Sequence, residues 1–117
     1  MAGQAEVAGV LAALRAAVLR QLGALEREFA GIVDSAGSAG ADDEHDPEGA
    51  TVAFERQHVA ALAGQARERL AQIEAALRRL AGGSYGLCVT CGQPVAAARL
   101  AARPETATCI TCATRRR

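Results

Sequence analysis

Four cysteines stand in two pairs, C-V-T-C at Cys88 to Cys91 and C-I-T-C at Cys109 to Cys112. They are the only cysteines among 117 residues, and seventeen residues separate the pairs. This is the spacing of a four-cysteine zinc site. Zinc takes soft ligands in a tetrahedron at about 2.3 Å, and each Cys-x-x-Cys turn supplies two sulfurs from one tight loop. Gly92, directly after Cys91, suits the sharp turn of such a loop. The second pair comes from a different segment, so one zinc ion per chain would close the chain on itself. Four thiolates complete the shell and leave no position for a substrate or an activated water, which makes the expected role structural. Two other readings compete. Paired disulfides suit a secreted chain, and the N-terminus lacks a basic region followed by an apolar core and cleavage site. A redox Cys-x-x-Cys usually occurs once, beside a βαβ pattern that this sequence does not show.

Other chemistry is sparse. His45 and His58 have no metal-ligand spacing to a cysteine; His58 reads as a helix-surface residue and His45 as part of a loop. There is no Ser-His-Asp signature and no Gly-rich phosphate loop, so no enzymatic activity is expected. Four thiolates and one Zn²⁺ sum to a net charge of −2. Arg99, Arg103 and Arg115 to Arg117 lie where they would offset it, although plain solubility also accounts for the Arg tail. The linking segment between the pairs holds at most a turn or two of helix and little core, so metal binding should supply much of its folding free energy.

Two long helices must carry this site. Val7, Leu11, Leu14, Val18, Leu22, Leu25, Phe29 and Ile32 recur at steps of three and four, which predicts a helix from about Glu6 to Val33. Gly9 and Gly23 each weaken it by about 1 kcal/mol relative to Ala. A second stripe comprises Val52, Val59, Leu62, Ala66, Leu70, Ile73, Leu77 and Leu80. It starts at Asp46-Pro47-Glu48, with Asp as N-cap and Pro at the first helical position, and ends near Ala81 to Gly83, where Gly82 or Gly83 is a natural cap. Two amphipathic helices joined by one loop pack as an antiparallel hairpin. The expected fold is mainly α: a long antiparallel helical hairpin (a coiled coil) over residues 1–83, with a four-cysteine zinc finger over 84–117 at its base.

The connection, about residues 34–50, is unusual. Asp42, Asp43, Glu44, Asp46 and Glu48 crowd into seven positions. Acids favour helix N-termini, which accounts for Asp46 and Glu48 and accounts poorly for Asp42 to Glu44. Composition restricts the partners. The formal net charge is zero, without the basic excess of a nucleic-acid binder. One Tyr, two Phe and no Trp leave little for stacking on single strands. All thirteen basic residues are Arg. No continuous apolar run reaches the roughly 18 residues of a membrane span. No membrane association and a cytoplasmic location are expected.

Residues Gly83 to Cys112 resemble the finger of the DksA/TraR family of four-cysteine zinc proteins. The resemblance rests on an aromatic-Gly-x-Cys entry (Tyr85, Gly86, Cys88), a Gly after the first pair, and an Arg-Leu-x-Ala-x-Pro run (Arg99, Leu100, Ala102, Pro104) before the second. The helical hairpin ahead of it fits the family's coiled coil. The resemblance implies a transcription regulator that binds bacterial RNA polymerase directly, without a specific DNA site. Its coiled-coil tip would enter the secondary channel and modulate initiation, in some members together with the alarmone ppGpp of the stringent response. The family's tip carries an Asp-x-x-Asp-x-Ala pattern. Asp43 and Asp46 match it, with Glu44 between them and Glu48 in place of the Ala. Counting back from Phe54 supports that register; counting back from Cys88 without a gap places Glu48 and Ala50 there instead. The chain ends five residues after Cys112, so the helix that often follows the family's finger should be nearly missing. Alternatives to the polymerase reading are a zinc-stabilised protein–protein adaptor and a redox-sensitive zinc switch.

Overall fold

The computed structural model describes residues 3–38 and 47–115, and its side chains apart from those of 35–38, 47 and 48. The acids Asp42, Asp43, Glu44 and Asp46, with His45, lie outside the described residues, as does the capping role expected of Asp46. Glu48 falls in the first turn of a helix, its side chain outside the described set.

Two long helices dominate: α1 (Gln4–Ser38) and α2 (Pro47–Gly82). Both overlap the predicted stripes, and α1 runs two residues earlier and five later than its periodicity indicates. α2 ends in a Schellman motif. Gly83 takes φ 84°, its N–H bonds the Leu80 carbonyl at 3.3 Å, and the Ser84 N–H bonds the Arg79 carbonyl at 2.9 Å. A positive φ there costs glycine nothing, which is why the helix stops at this residue.

The chain divides into two compact units. One comprises Met1–Ala17 and Arg69–Arg117. Here α1 and α2 run antiparallel: Gln4 Nε2 donates to the Leu80 carbonyl at 3.3 Å, and Arg15 Nε and Nη2 donate to Glu74 Oε2 at 3.2 Å. Leu11, Ile73 and Ala76 are fully buried between them. The other unit, Val18–Glu68, buries Val18, Leu22 and Leu25 from α1 and Val59, Ala63 and Ala66 from α2. Every residue of the two predicted stripes is buried or half-buried. The pattern missed Ala63 and Ala76, because one more alanine does not stand out in an Ala-rich helix. Small side chains at such positions let two helices approach closely.

The membrane expectation needs one correction. The α1 segment Gln4–Asp34 is long and apolar enough to cross a bilayer, with a mean hydropathy of 1.4 over an 18-residue window. Continuous apolar runs missed it, because a few charges interrupt a surface that is otherwise Ala, Leu and Val. Leu11, Val18, Leu22 and Leu25 of that segment are buried in the hairpin.

Candidate metal centre

The first cysteine pair is held by a tight turn. Leu87 and Pro94 form an isolated antiparallel bridge. Inside it, the Cys88 N–H bonds the Gln93 carbonyl at 2.8 Å and the Gly92 N–H bonds the Cys88 carbonyl at 2.9 Å. Outside it, the Val95 N–H bonds the Gly86 carbonyl at 2.8 Å. Gly86 and Gly92 sit at φ 89° and 75°, left-handed values that a side chain would strain. Gly92 thus has the role its position in the sequence suggested.

The second pair opens a helix. After α3 (Ala97–Ala102), the chain crosses Pro104 to Thr108 and enters α4 (Ile110–Arg115). The Cys112 N–H points at Cys109 Sγ, 3.5 Å away, so the sulfur takes up a donor that a helix start leaves unsatisfied. α3 and α4 are six residues each; α3 is the turn or two of helix expected between the pairs.

The two turns bring the four sulfurs together. Sγ of Cys88, Cys91, Cys109 and Cys112 all lie within 4.8 Å of one another. Cys91 Sγ and Cys109 Sγ are 3.8 Å apart. A tetrahedron with 2.3 Å metal–sulfur bonds has edges of about 3.8 Å, so the spacing and the all-thiol donor set fit one structural zinc ion. Cys88 and Cys112 are buried, Cys109 is half-buried and Cys91 is exposed. The finger's own core is Cys88, Val95 and Cys112, with Leu100 and Cys109 packed on it. Three of these five residues are candidate ligands, so the finger has little apolar core beyond the metal site.

The sulfurs differ electrostatically. Backbone N–H groups of Cys109 and Cys91 lower the Cys88 thiol to about 6. The Cys112 N–H lowers Cys109. Hydrogen bonding to the Cys109 sulfur, then burial, pushes Cys112 up to about 12. These four residues would hold the cation as thiolates, so its binding would displace the protons the cluster still carries.

A strap from Pro104 to Thr108 joins the finger to its surroundings. The Tyr85 hydroxyl donates to the Pro104 carbonyl at 2.8 Å; burial, the largest influence, raises its pKa and keeps it a donor. Arg69 Nε donates to Glu105 Oε2 at 3.0 Å, Arg79 Nη2 to the Thr106 carbonyl at 3.4 Å, and the Val89 N–H to the Ala107 carbonyl at 2.9 Å. Glu105 is the one charged residue buried among the described residues, and its Oε1 has no partner there. Sequence reasoning missed this acid, which belongs to no periodic pattern. Beside it opens a cavity of about 280 Å³ lined by Arg79, Arg99 and Arg103 among others. His58 is exposed on α2, as expected.

A mainly helical hairpin with a four-cysteine cluster after its second helix defines a helical zinc-finger protein. Residues 83–117 match the prokaryotic DksA/TraR C4-type zinc finger family. The finger is of that family, and the fold is DksA-like. The structure of transcription factor DksA2 from Pseudomonas aeruginosa superposes with a TM-score of 0.54 at 28% identity, covering 91% of this chain and 81% of that one. The RNA polymerase-binding transcription factor DksA of Caulobacter vibrioides (strain NA1000 / CB15N) is 50% identical over 38 residues, 32% of this chain and 27% of its own length. The uncharacterized protein YteA of Bacillus subtilis (strain 168) is 37% identical over 75 residues, 64% of this chain and 31% of its own. The matches therefore span less than a third of these curated relatives.

Proposed function

We propose that this chain is a transcription regulator that binds RNA polymerase directly and does no chemistry of its own. Residues 1–83 act as the hairpin and 84–117 as the finger. Cys88, Cys91, Cys109 and Cys112 hold one Zn²⁺, whose role is to fold the finger. The connection at about 34–50 enters the polymerase secondary channel, and Asp43 and Asp46, with Glu44 and Glu48 beside them, approach the active site. The protein works in the cytoplasm and without a sequence-specific DNA site, and the family's alarmone ppGpp is the co-effector to test. The observation that supports this most is the finger match over residues 83–117, seen also as 50% identity to a DksA named for binding RNA polymerase.

The mechanism is steric and electrostatic. A helical pair occupies a pore, and carboxylates placed near a metal-dependent centre act where water is excluded and charge interactions strengthen. The test is binding of the labelled, zinc-loaded chain to core RNA polymerase, followed by transcription from a set of promoters with and without ppGpp. A one-to-one complex that changes transcript output supports the proposal. Zinc-loaded, helical protein that forms no complex with the polymerase rejects it in favour of the adaptor. A complex that forms only before peroxide treatment, with zinc released on oxidation, favours the redox switch.

A further inference from the structure

Arg99 is the one polar residue of α3, whose sequence is A-A-R-L-A-A. Its neighbour Leu100 packs against the finger's core, which fixes α3 beside the metal site. From there the Arg99 guanidinium reaches the strap with two groups. Nε donates to the Thr108 carbonyl at 2.9 Å, and Nη2 donates to Thr106 Oγ1 at 3.1 Å. The Thr106 hydroxyl in turn donates to the same Thr108 carbonyl at 3.3 Å. The three groups form a closed ring of hydrogen bonds. Thr108 immediately precedes Cys109, so its carbonyl belongs to the peptide that leads into the second cysteine pair. With that peptide fixed, so is the start of α4, where Cys109 accepts the Cys112 N–H. The other strap bonds reach Pro104, Glu105, Thr106 and Ala107. Two side chains from outside the strap, among the described residues, flank Cys109: Arg99 bonds the carbonyl of the residue before it, and Thr114 Oγ1, within α4 itself, donates to the carbonyl of Ile110 after it at 2.7 Å.

We infer that Arg99 is a positioning residue for the metal centre: its planar fork orients the Thr108–Cys109 peptide and thereby aims the sulfurs of Cys109 and Cys112. The inference rests on the metal reading above. A simpler role is counter-charge, since four thiolates around Zn²⁺ leave a net −2. The two roles separate chemically. Lys keeps the charge but is a flexible point donor that does not reproduce a rigid fork on two acceptors. Arg103 lines the same cavity and carries the same charge, and its side chain makes no hydrogen bond among the described residues.

The experiment is cobalt binding to the full chain, followed by the absorption of the tetrahedral four-sulfur site and by competition with a chelator. Groups that orient metal ligands typically contribute 10–100-fold to metal affinity, so Arg99→Gln and Arg99→Lys should both lose roughly that much, while Arg103→Gln stays within about threefold of the parent. The cobalt d–d bands should also change shape in the Arg99 variants, because the second sulfur pair is aimed differently. Full recovery by Arg99→Lys, or equal losses at Arg99 and Arg103, would show that charge decides and overturn the inference. Should Arg99→Gln prove too unfolded to read, Thr106→Val removes the fork's second acceptor together with the hydroxyl's own bond to the Thr108 carbonyl, and leaves the Arg99 Nε bond in place. It should also weaken cobalt binding, and parental affinity there would overturn the inference too. A parent chain that takes up no cobalt refutes the metal reading itself, and this inference with it.

Discussion

Arg69 on α2 donates to Glu105 on the strap at 3.0 Å, and the two ends differ sharply in exposure: the arginine side chain is 50% exposed and the glutamate 4%. The carboxylate has left water and depends on a partner that has not. Removing the partner is therefore the harsher change. Arg69→Met leaves a buried charge unpaired and should cost about 1–3 kcal/mol, below the 3–5 kcal/mol of a fully buried pair because solvent reaches the guanidinium. Arg69→Met/Glu105→Leu should recover most of that loss. Urea unfolding of the zinc-loaded chain measures both. If the single variant is as stable as the parent, Glu105 is not held by this bond.

The helix seam has a different sensitivity at each position. Ile73 is fully buried and Leu70 half-buried. Ile73→Asp should collapse the hairpin, since a carboxylate there is desolvated and unpaired, and Leu70→Asp should be milder. Ala63 is 4% exposed, so Ala63→Leu should overpack the seam and cost about 1–3 kcal/mol. Thermal unfolding followed by helicity ranks the three, and an unchanged melting temperature for Ala63→Leu would place that residue outside the contact.

These positions also show how much of the molecule the sequence conveyed. Leucine, isoleucine and valine at steps of three and four marked the buried faces of α1 and α2, because a bulky apolar side chain announces burial wherever it lies. Ala63 and Ala76 carry no such signal among many exposed alanines. The four cysteines could be grouped in advance because ligand chemistry fixes their spacing. Glu105 and Arg99 could not. Their partners depend on the path of a five-residue strap, which no periodicity encodes. The acids Asp43, Glu44 and Asp46 lie outside the described residues, so their arrangement stays where the sequence left it, an expectation for the tip.

Metal removal should act locally. Chelation, or Cys112→Ser, should loosen the finger while leaving most of the helical signal, because α1 and α2 have their own buried seam. Fluorescence of Tyr85, the single tyrosine, reports the finger, and circular dichroism reports the helices. Loss of both in one transition would contradict this.

Loading the site should release fewer than four protons at neutral pH. In the metal-free chain backbone N–H groups, that of Cys109 first, lower the Cys88 thiol to about 6, and hydrogen bonding to Cys109 pushes Cys112 up to about 12. At neutral pH Cys88 is already ionised and Cys112 is not. Below pH 6 Cys88 holds its proton, so the count rises and metal affinity falls more steeply. In the metal-free chain the two thiols have opposite signs. The lowered Cys88 adds stability above its ordinary 9.0 that is lost as pH falls through about 6, and the raised Cys112 adds stability below 9.0 that is lost as pH rises through about 12. Calorimetry of zinc addition in buffers of different ionisation enthalpy gives the count. Four protons released at neutral pH would show that Cys88 is not ionised in the metal-free chain.

At the tip, binding and effect should separate. Asp43→Asn/Asp46→Asn should keep polymerase affinity within about tenfold, a limit of 1.4 kcal/mol, while abolishing the change in transcript output. Glu44→Gln/Glu48→Gln tests the other register, and only one of the two pairs should show the separation. A double variant that regulates like the parent would make these acids caps and solvated loop.

The bond from Gln4 to Leu80 joins residues 76 positions apart, and that separation has a consequence for synthesis. α1 leaves the ribosome before α2, and the Leu11 end of its apolar stripe has nothing to pack on until the far half of α2 follows. Between the emergence of Leu11 and that of Ile73 the delay is on the order of several seconds at usual elongation rates. Through that interval the growing chain presents a helix-forming segment with a mean hydropathy of 1.4, the kind of surface that nascent-chain chaperones and targeting factors sample. Slow codons placed after Ser38 would lengthen that exposure without altering a single contact in the finished fold.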